Sequence, residues 1–538
     1  MRKNSNPENI LPVIPYIFFG IVLIAGILRI FTFSIGLNYY DLHDFIEGVL
    51  WADASLKSGS IINPEYIYYY IVPFGSNIIM APFVKLLGVS LTANQLGMVV
   101  YYILFLGVML RLAESLYDDW NSRLIFCSVL CMFFFIYVGD NLLHHLLAYG
   151  IGFVCLMGML SCLINIDKGR NIRRNRILLV LFYLWSSANG IGCAALCGLQ
   201  VFASLLYANY KNHSLFSRDS IINSLCMIIP IFIGLLIFRY YDSRAITMNM
   251  LNRRFIMADV PTVVERITNT IFIDYFKVLY YMPGQVYLFS PEGAFSIIKL
   301  AYALAVPGIP IYLYRKHRDS FRIAGISTTT QTMMYTAHVL IILTCIGQFC
   351  LFEKYTHRYL FNGILSLICI GAAGMAGSIK TPEKNLRIVP FLVLATVLTG
   401  HIIAINIPKG IRQKEELRNI YTVLEKEHMT RGYICSRYYK STELFADGNL
   451  VTSVINYDQE ADKFYVEYDR IYLGEETRPD TERFFILNDT RYSVHHEGDQ
   501  QLEENCTDKV TLDKVTIYFF DTEDWDTLFT VKDNYLLR

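Results

Sequence analysis

Residues 39–77 read YYDLHDFIEGVLWADASLKSGSIINPEYIYYYIVPFGSN. They directly follow an apolar run at 11–34 that is long enough to cross a bilayer core of ~30 Å. The stretch itself is too polar to cross lipid. It presents Asp41, His43, Asp44, Glu47 and Asp53 ahead of an aromatic-Pro-Gly segment. A helix, then a large acidic and aromatic loop, then further apolar runs is the pattern of a polytopic helical membrane protein. In such a protein this loop either decorates the membrane surface or does chemistry there.

The rest of the chain supports that class. It has 538 residues, of which 54% are hydrophobic and only 17% charged, against about 25% charged in soluble domains. Apolar runs recur at 94–113, 124–139, 146–166, 178–208, 220–238, 294–314, 331–352, 360–379 and 388–406. The leading MRKNSNPENI lacks a small-residue cleavage site, so the first run reads as a retained helix. The formal net charge is zero, but the last ~130 residues are acidic and the membrane portion basic. That balance argues against nucleic acid as a partner and fits a basic face near anionic lipid.

Three short basic loops set the expected orientation. The first carries Lys168, Arg170, Arg173, Arg174 and Arg176, the second Arg315, Lys316, Arg318 and Arg322, and the third Lys380, Lys384 and Arg387. Lys/Arg-rich loops stay cytoplasmic. All three are therefore expected inside with the N-terminus, and the crossings between them must be even in number. One helix over 178–208 would be ~46 Å long, too long for one crossing. The sequence SSANGIG at 186–192 divides it and restores parity. Residues 78–88, IIMAPFVKLLG, are too short to cross and read as an interfacial helix. The expectation is about eleven transmembrane helices, N-terminus cytoplasmic and C-terminus outside. The outer face then collects 37–93, 139–145, 240–293, 352–359 and everything after 407. The inner loops hold no Walker A or GxGxxG pattern, which argues against a cytosolic nucleotide-fuelled machine.

Residues 1–406 are thus expected as a multi-pass domain and 407–538 as a small extracytoplasmic α+β domain. The segment 410–428 has helical spacing, and 464–473, 482–487 and 514–520 read as strands. Cys435 and Cys506 are the two cysteines of this region and admit a disulfide outside the cytosol. The others fall in the membrane portion and read as small buried hydrophobes.

The chemistry-bearing residues lie on the outer side. Asp41 and Asp44, and Asp44 and Glu47, share a helix face at i,i+3. A carboxylate held at a membrane cavity can take a proton from an incoming hydroxyl or amine; the alternative is a solvated face. The loop GDNLLHH brings Asp140, His144 and His145, which either bind substrate, pass protons or cap a helix. The turn EKYTHRY brings His357 and Arg358, where the Arg fork suits phosphate oxygens or snorkels to headgroups. Arg239, Arg244, Arg253 and Arg254 on the long outer loop add positive charge.

The order first helix, outer loop with early Asp, WADASLKSG, aromatic-Pro stretch and PFVKLLG resembles the GT-C superfamily of integral membrane glycosyltransferases. The similarity is to the branch of bacterial dolichyl-phosphate-mannose-protein mannosyltransferase-like and aminoarabinose-transferase-like enzymes. It implies that Asp44 stands at the catalytic-acid position with Glu47 the nearest alternative, that Asp140 is the second-loop acid, and that Arg358 of HRYL contacts phosphate. The family often has two adjacent acids at the first site, whereas this chain has Asp44-Phe45. Asp41, His144, His145 and His357 are expected to contact substrate. The segment RGYICSRYYKSTEL at 431–444 is similar to the outer domain of Gram-positive members. The resemblance implies an inverting transfer from a polyprenyl-phosphate-linked sugar in the membrane lipid to an envelope glycan, lipid or protein acceptor. No cofactor and no metal site are expected, though the loop acids leave room for a divalent cation. The competing readings are a lipid or oligosaccharide transporter and a non-catalytic envelope-binding membrane protein.

Overall fold

The structure, a computed structural model, describes residues 14–34, 42–68, 70–131, 150–190, 192, 194–247, 256–279, 287, 289–352, 357–378, 408, 410–446, 448–467, 471–472, 478–489 and 496–530. The chain divides into two compact units. One comprises Met1–Phe33, Tyr102–Phe238 and Arg254–Ile405; the other comprises Ser34–Tyr101, Arg239–Arg253 and Asn406–Arg538.

The first unit is helical. Its elements are α1 (Ile14–Ser34), most of α4 (Leu91–Leu116), α5 (Trp120–Cys131), α6 (Ile151–Asp167), α7 (Ile172–Ala188), α8 (Leu199–Lys211), α9 (Arg218–Asp242), α10 (Val260–Glu265), α11 (Ile271–Val278), α12 (Pro291–Lys316), α13 (Thr328–Leu351) and α14 (Phe361–Ser378). Among the described residues α4, α9, α12, α13 and α14 are long and apolar enough to cross a membrane; α6 and the apolar part of α1, Pro15–Leu28, are shorter. The expected crossing at 388–406 lies outside the described residues, as does part of 124–139. Helix α6 is apolar on every side and buried along nearly its whole length, as a central helix must be. Helix α14 packs against α5, α12 and α13. Its small residues allow this: a Cβ on Gly371 would sit 3.4 Å from the Pro310 ring, and one on Gly363 3.2 Å from Cys345.

The long run 178–208 is divided where SSANGIG stands. Helix α7 ends at Ala188 and Gly190 takes a φ of +104°, which a side chain would oppose. A π-type turn at Ala194–Gly198 then leads into α8.

The second unit joins segments far apart in sequence. From the first loop come α2 (Leu42–Ser58), β1 (Tyr66–Tyr68) and α3 (Ser76–Leu87); β2 (Ile246–Thr247) comes from the segment after α9. The C-terminal region supplies α15 (410–426), β3 (Arg431–Ile434), a 3-10 segment at Arg437–Phe445, β4 (Val451–Asp458), β5 (Lys463–Val466), β6 (Ile471–Tyr472), β7 (Arg483–Asp489), α16 (His496–Asn505), β8 (Asp508–Leu512), β9 (Val515–Asp521) and α17 (Trp525–Leu528). Six strands form a mixed sheet in the order β5-β4-β3-β7-β9-β8, with β3 parallel to both β4 and β7. The expected strand 464–473 is two strands in two sheets: β5 pairs with β4, whereas β6 pairs antiparallel with β1 of the first loop. Strand β1 in turn pairs in parallel with β2. Ile67, Tyr433, Ile471, Phe484, Phe520 and Trp525 belong to one apolar core. The class is therefore a polytopic helical membrane protein with an α+β C-terminal region.

Candidate functional site

The acidic helix α2 is held on two sides within its unit. Its Gly48 lies against α3, where a Cβ would come within 2.3 Å of the Ser76 hydroxyl. It also packs on the 3-10 segment Arg437–Phe445, which overlaps the segment 431–444 that the sequence singled out.

Glu47 is 1% exposed. The Tyr70 hydroxyl donates to its Oε2 at 3.4 Å. One turn further along α2, Trp51 is equally buried, with the rings of Tyr68 and Tyr70 edge-on at 5.2 and 5.6 Å. The Trp51 indole N–H has no acceptor among the described residues, which is uncommon for a buried donor. The loop after α2 is tied down: Asn63 donates through Nδ2 to the Ala54 carbonyl (3.0 Å) and through its backbone N–H to the Tyr68 hydroxyl oxygen (2.9 Å). Burial pushes the Tyr68 phenol up to about 12, so it keeps its proton at any physiological pH. Asp53 pairs with Lys57 at 2.7 Å, and that ammonium also lies 5.0 Å from the centre of the Tyr472 ring on β6. The C-terminal region thus touches the loop through both a strand and an aromatic face.

Asp44 lies on α2, three residues before Glu47. His357 and Arg358 open the short helical turn His357–Leu360. Asp41, Asp140, His144 and His145 lie outside the described residues. Among the described residues no group of three His, Cys, Asp or Glu could hold a metal ion. Cys435 and Cys506 are free thiols.

Sequence reading missed Arg266. It is 5% exposed and donates to the carbonyls of Phe349, at 3.4 Å, and Phe352. Its guanidinium satisfies carbonyls at the C-terminal end of α13, where a cation also complements the helix dipole. It thereby fixes the end of the helix that runs into the His357–Leu360 turn. The available signal was a lone Arg in the amphipathic run 260–279. Sequence reading also took Tyr70 as part of an aromatic stretch and not as the partner of Glu47; Trp51, at i+4 from Glu47, was the clue.

No protein-family model and no curated protein matches this sequence. Among solved structures the chain shares its fold with a membrane-protein neighbour. It is similar to the crystal structure of ArnT from Cupriavidus metallidurans bound to undecaprenyl phosphate, with a TM-score of 0.53 at 10% identity over 92% of this chain and 97% of that one. The apo structure of the same ArnT aligns over the same shares at a TM-score of 0.42.

Proposed function

We propose that this protein is a membrane glycosyltransferase that moves a sugar from a polyprenyl-phosphate donor to an acceptor outside the cytosol. The observation that carries this reading is the ArnT fold over 92% of the chain, in a neighbour whose structure holds undecaprenyl phosphate. The outer acids and the lack of a nucleotide-binding motif agree with it. The N-terminus is then cytoplasmic and residues 407–538 extracytoplasmic.

In this reading Asp44 is the general base. It takes the acceptor proton as the acceptor oxygen or nitrogen forms a bond to the sugar anomeric carbon. The bond from that carbon to the phosphate oxygen breaks, and polyprenyl phosphate leaves with the electron pair. Arg358 neutralises the leaving phosphate, the task for which a guanidinium fork is suited. Glu47 is a positioning residue: its carboxylate is buried and engaged by Tyr70, which leaves the acid one turn earlier on α2 for the acceptor. Asp140 is the second catalytic acid, and Asp41, His144, His145 and His357 are substrate contacts in the same reading.

The test is transfer by purified protein from polyprenyl-phosphate sugars to envelope acceptors. Asp44→Asn is expected to lower the rate roughly 100-fold or more, the usual scale for losing a general base. Glu47→Gln should cost about tenfold or less while shifting thermal stability, since its role is structural. Equal rates for wild type and Asp44→Asn would sink the base assignment. Lipid movement in vesicles with no transfer from any donor would point to a transporter.

A further inference from the structure

Helix α7 begins in a way that its dipole disfavours. A helix N-terminus carries partial positive charge and attracts acids. Here the first turn contains no acid, Asn171 at the cap makes no side-chain capping bond, and Arg173, Arg174 and Arg176 follow at once. Arg176 is neutralised by Asp219 at 2.7 Å, and Arg170 and Lys168 share Asp118 at 2.7 and 3.4 Å. Among the described residues no carboxylate lies within ion-pair distance of Arg173 or Arg174.

Beside this helix start is a polar cavity of about 170 Å³ lined by Arg111, Asn165, Arg170, Asn171, Arg174 and Asn175, with the exposed Glu114 as its one acid. Arg111 comes from the last turns of α4, a helix of membrane-crossing composition. Its Nη2 donates to Asn175 Oδ1 at 2.6 Å, and Asn175 Nδ2 donates to the Arg170 carbonyl at 2.6 Å. The fork is therefore held by a neutral partner, and among the described residues it makes no ion pair and its buried Nε has no hydrogen-bond acceptor. A partly buried guanidinium that makes no ion pair is costly, and an anion entering the cavity would offset that cost. Sharing Asn171 and Arg174 with the cavity is an open groove whose other walls include Ile172, Ile177 and Leu178. Ile172 and Ile177 are 39% and 53% exposed.

We infer that the start of α7 and the end of α4 form a binding site for a phosphoryl anion, with the adjoining groove taking an acyl or isoprenyl chain. Arg111 and Arg174 grip the phosphate oxygens, and Ile172, Ile177 and Leu178 line the chain. The site is at a basic end of the helical unit and uses none of the residues of the proposed transfer. A charged lipid headgroup and a free phosphate share the recognised chemistry; the apolar groove favours the lipid.

The experiment uses the full chain, delipidated in detergent, and reads retained ligand by native mass spectrometry. Phosphatidylglycerol, phosphatidylcholine and inorganic phosphate are titrated separately and in competition. Wild type is expected to retain phosphatidylglycerol over phosphatidylcholine, and Arg111→Gln and Arg174→Gln to weaken that retention about tenfold each. Arg318→Gln, an exposed basic residue of another loop, is expected to change nothing. Arg174 is on the exposed rim, so R174Q carries the test where R111Q fails to fold. Retention of phosphatidylglycerol that inorganic phosphate cannot displace assigns a lipid ligand; displacement by inorganic phosphate assigns a free phosphate. Equal retention of the two lipids, or an equal effect of R174Q and R318Q, overturns the site.

Discussion

The acids of this protein occupy unlike environments, and sequence spacing alone does not separate them. Glu47 is sealed between α2 and Tyr70, whereas Glu503 stands half exposed with Lys509. Glu443 is heavily engaged. Its Oε1 accepts from Lys440 Nζ at 3.1 Å and from both the N–H and the hydroxyl of Thr452 at 2.7 Å, and Lys440 also donates to the Thr452 carbonyl at 2.7 Å. Both ions are buried. Glu443→Ala leaves an uncompensated ammonium in the interior and is expected to destabilise by about 3–5 kcal/mol, read as a fall in the thermal midpoint. Lys509→Ala, which breaks an exposed pair, is expected to leave the midpoint unchanged. A similar response from the two would remove the distinction. Tyr68 adds a pH dependence. Its folded pKa of about 12 lies above the unfolded value of 10.0, so the folded state binds more protons in that window. Stability is intact below pH 10 and is expected to fall between pH 10 and 12; Tyr68→Phe should flatten that fall, and an unaltered pH–stability curve would contradict it.

At the scale of elements, close backbone approach fixes the acidic helix. Gly48 meets Ser76 of α3, where an added Cβ would lie 2.3 Å from the hydroxyl and 3.0 Å from the Ser76 Cβ. Gly48→Ala is expected to cost about 1–3 kcal/mol through overpacking. Ser76→Gly in the same chain should recover most of it, and additive effects of the two substitutions would show that the helices do not meet there. The sequence announced α2 through acids spaced i,i+3, α3 as an apolar run too short to cross, and the strands β5, β7 and β9 as alternating or β-rich runs. It did not announce β3 or β4. Arg431–Ile434 is only four residues and is wholly buried, so it carries no alternating pattern, and its parallel pairing with β4 and β7 is set by partners far along the chain. The helix pair α10 and α11 was equally silent, because its role rests on one side chain, Arg266, reaching carbonyls of another helix.

At the scale of the molecule, the first loop and the C-terminal region share one sheet and one core. Strand β1 pairs with β6 through Ile67 and Ile471, both fully buried. Deleting residues 407–538 is expected to strip β1 of that neighbour and uncover Ile67. Hydrogen exchange at Ile67 and Tyr68 should accelerate and proteolysis should open the loop at 59–64; unchanged exchange at Ile67 would refute the dependence. The sequence by itself determined the class of this protein. Runs of apolar residues long enough for a bilayer, separated by basic loops, admit only a polytopic helical chain, because backbone polar groups in lipid must be satisfied within the segment. It also located the acidic loop and the glycine-marked break before α8, both written in local composition. Tertiary structure alone decided that β6 leaves the C-terminal sheet to pair with the first loop, that Glu47 is buried beside Tyr70, and that the Arg111 fork meets the neutral Asn175. Each depends on residues distant in sequence being brought within a few ångströms, and no local pattern encodes which distant partner a strand edge or a charge will meet.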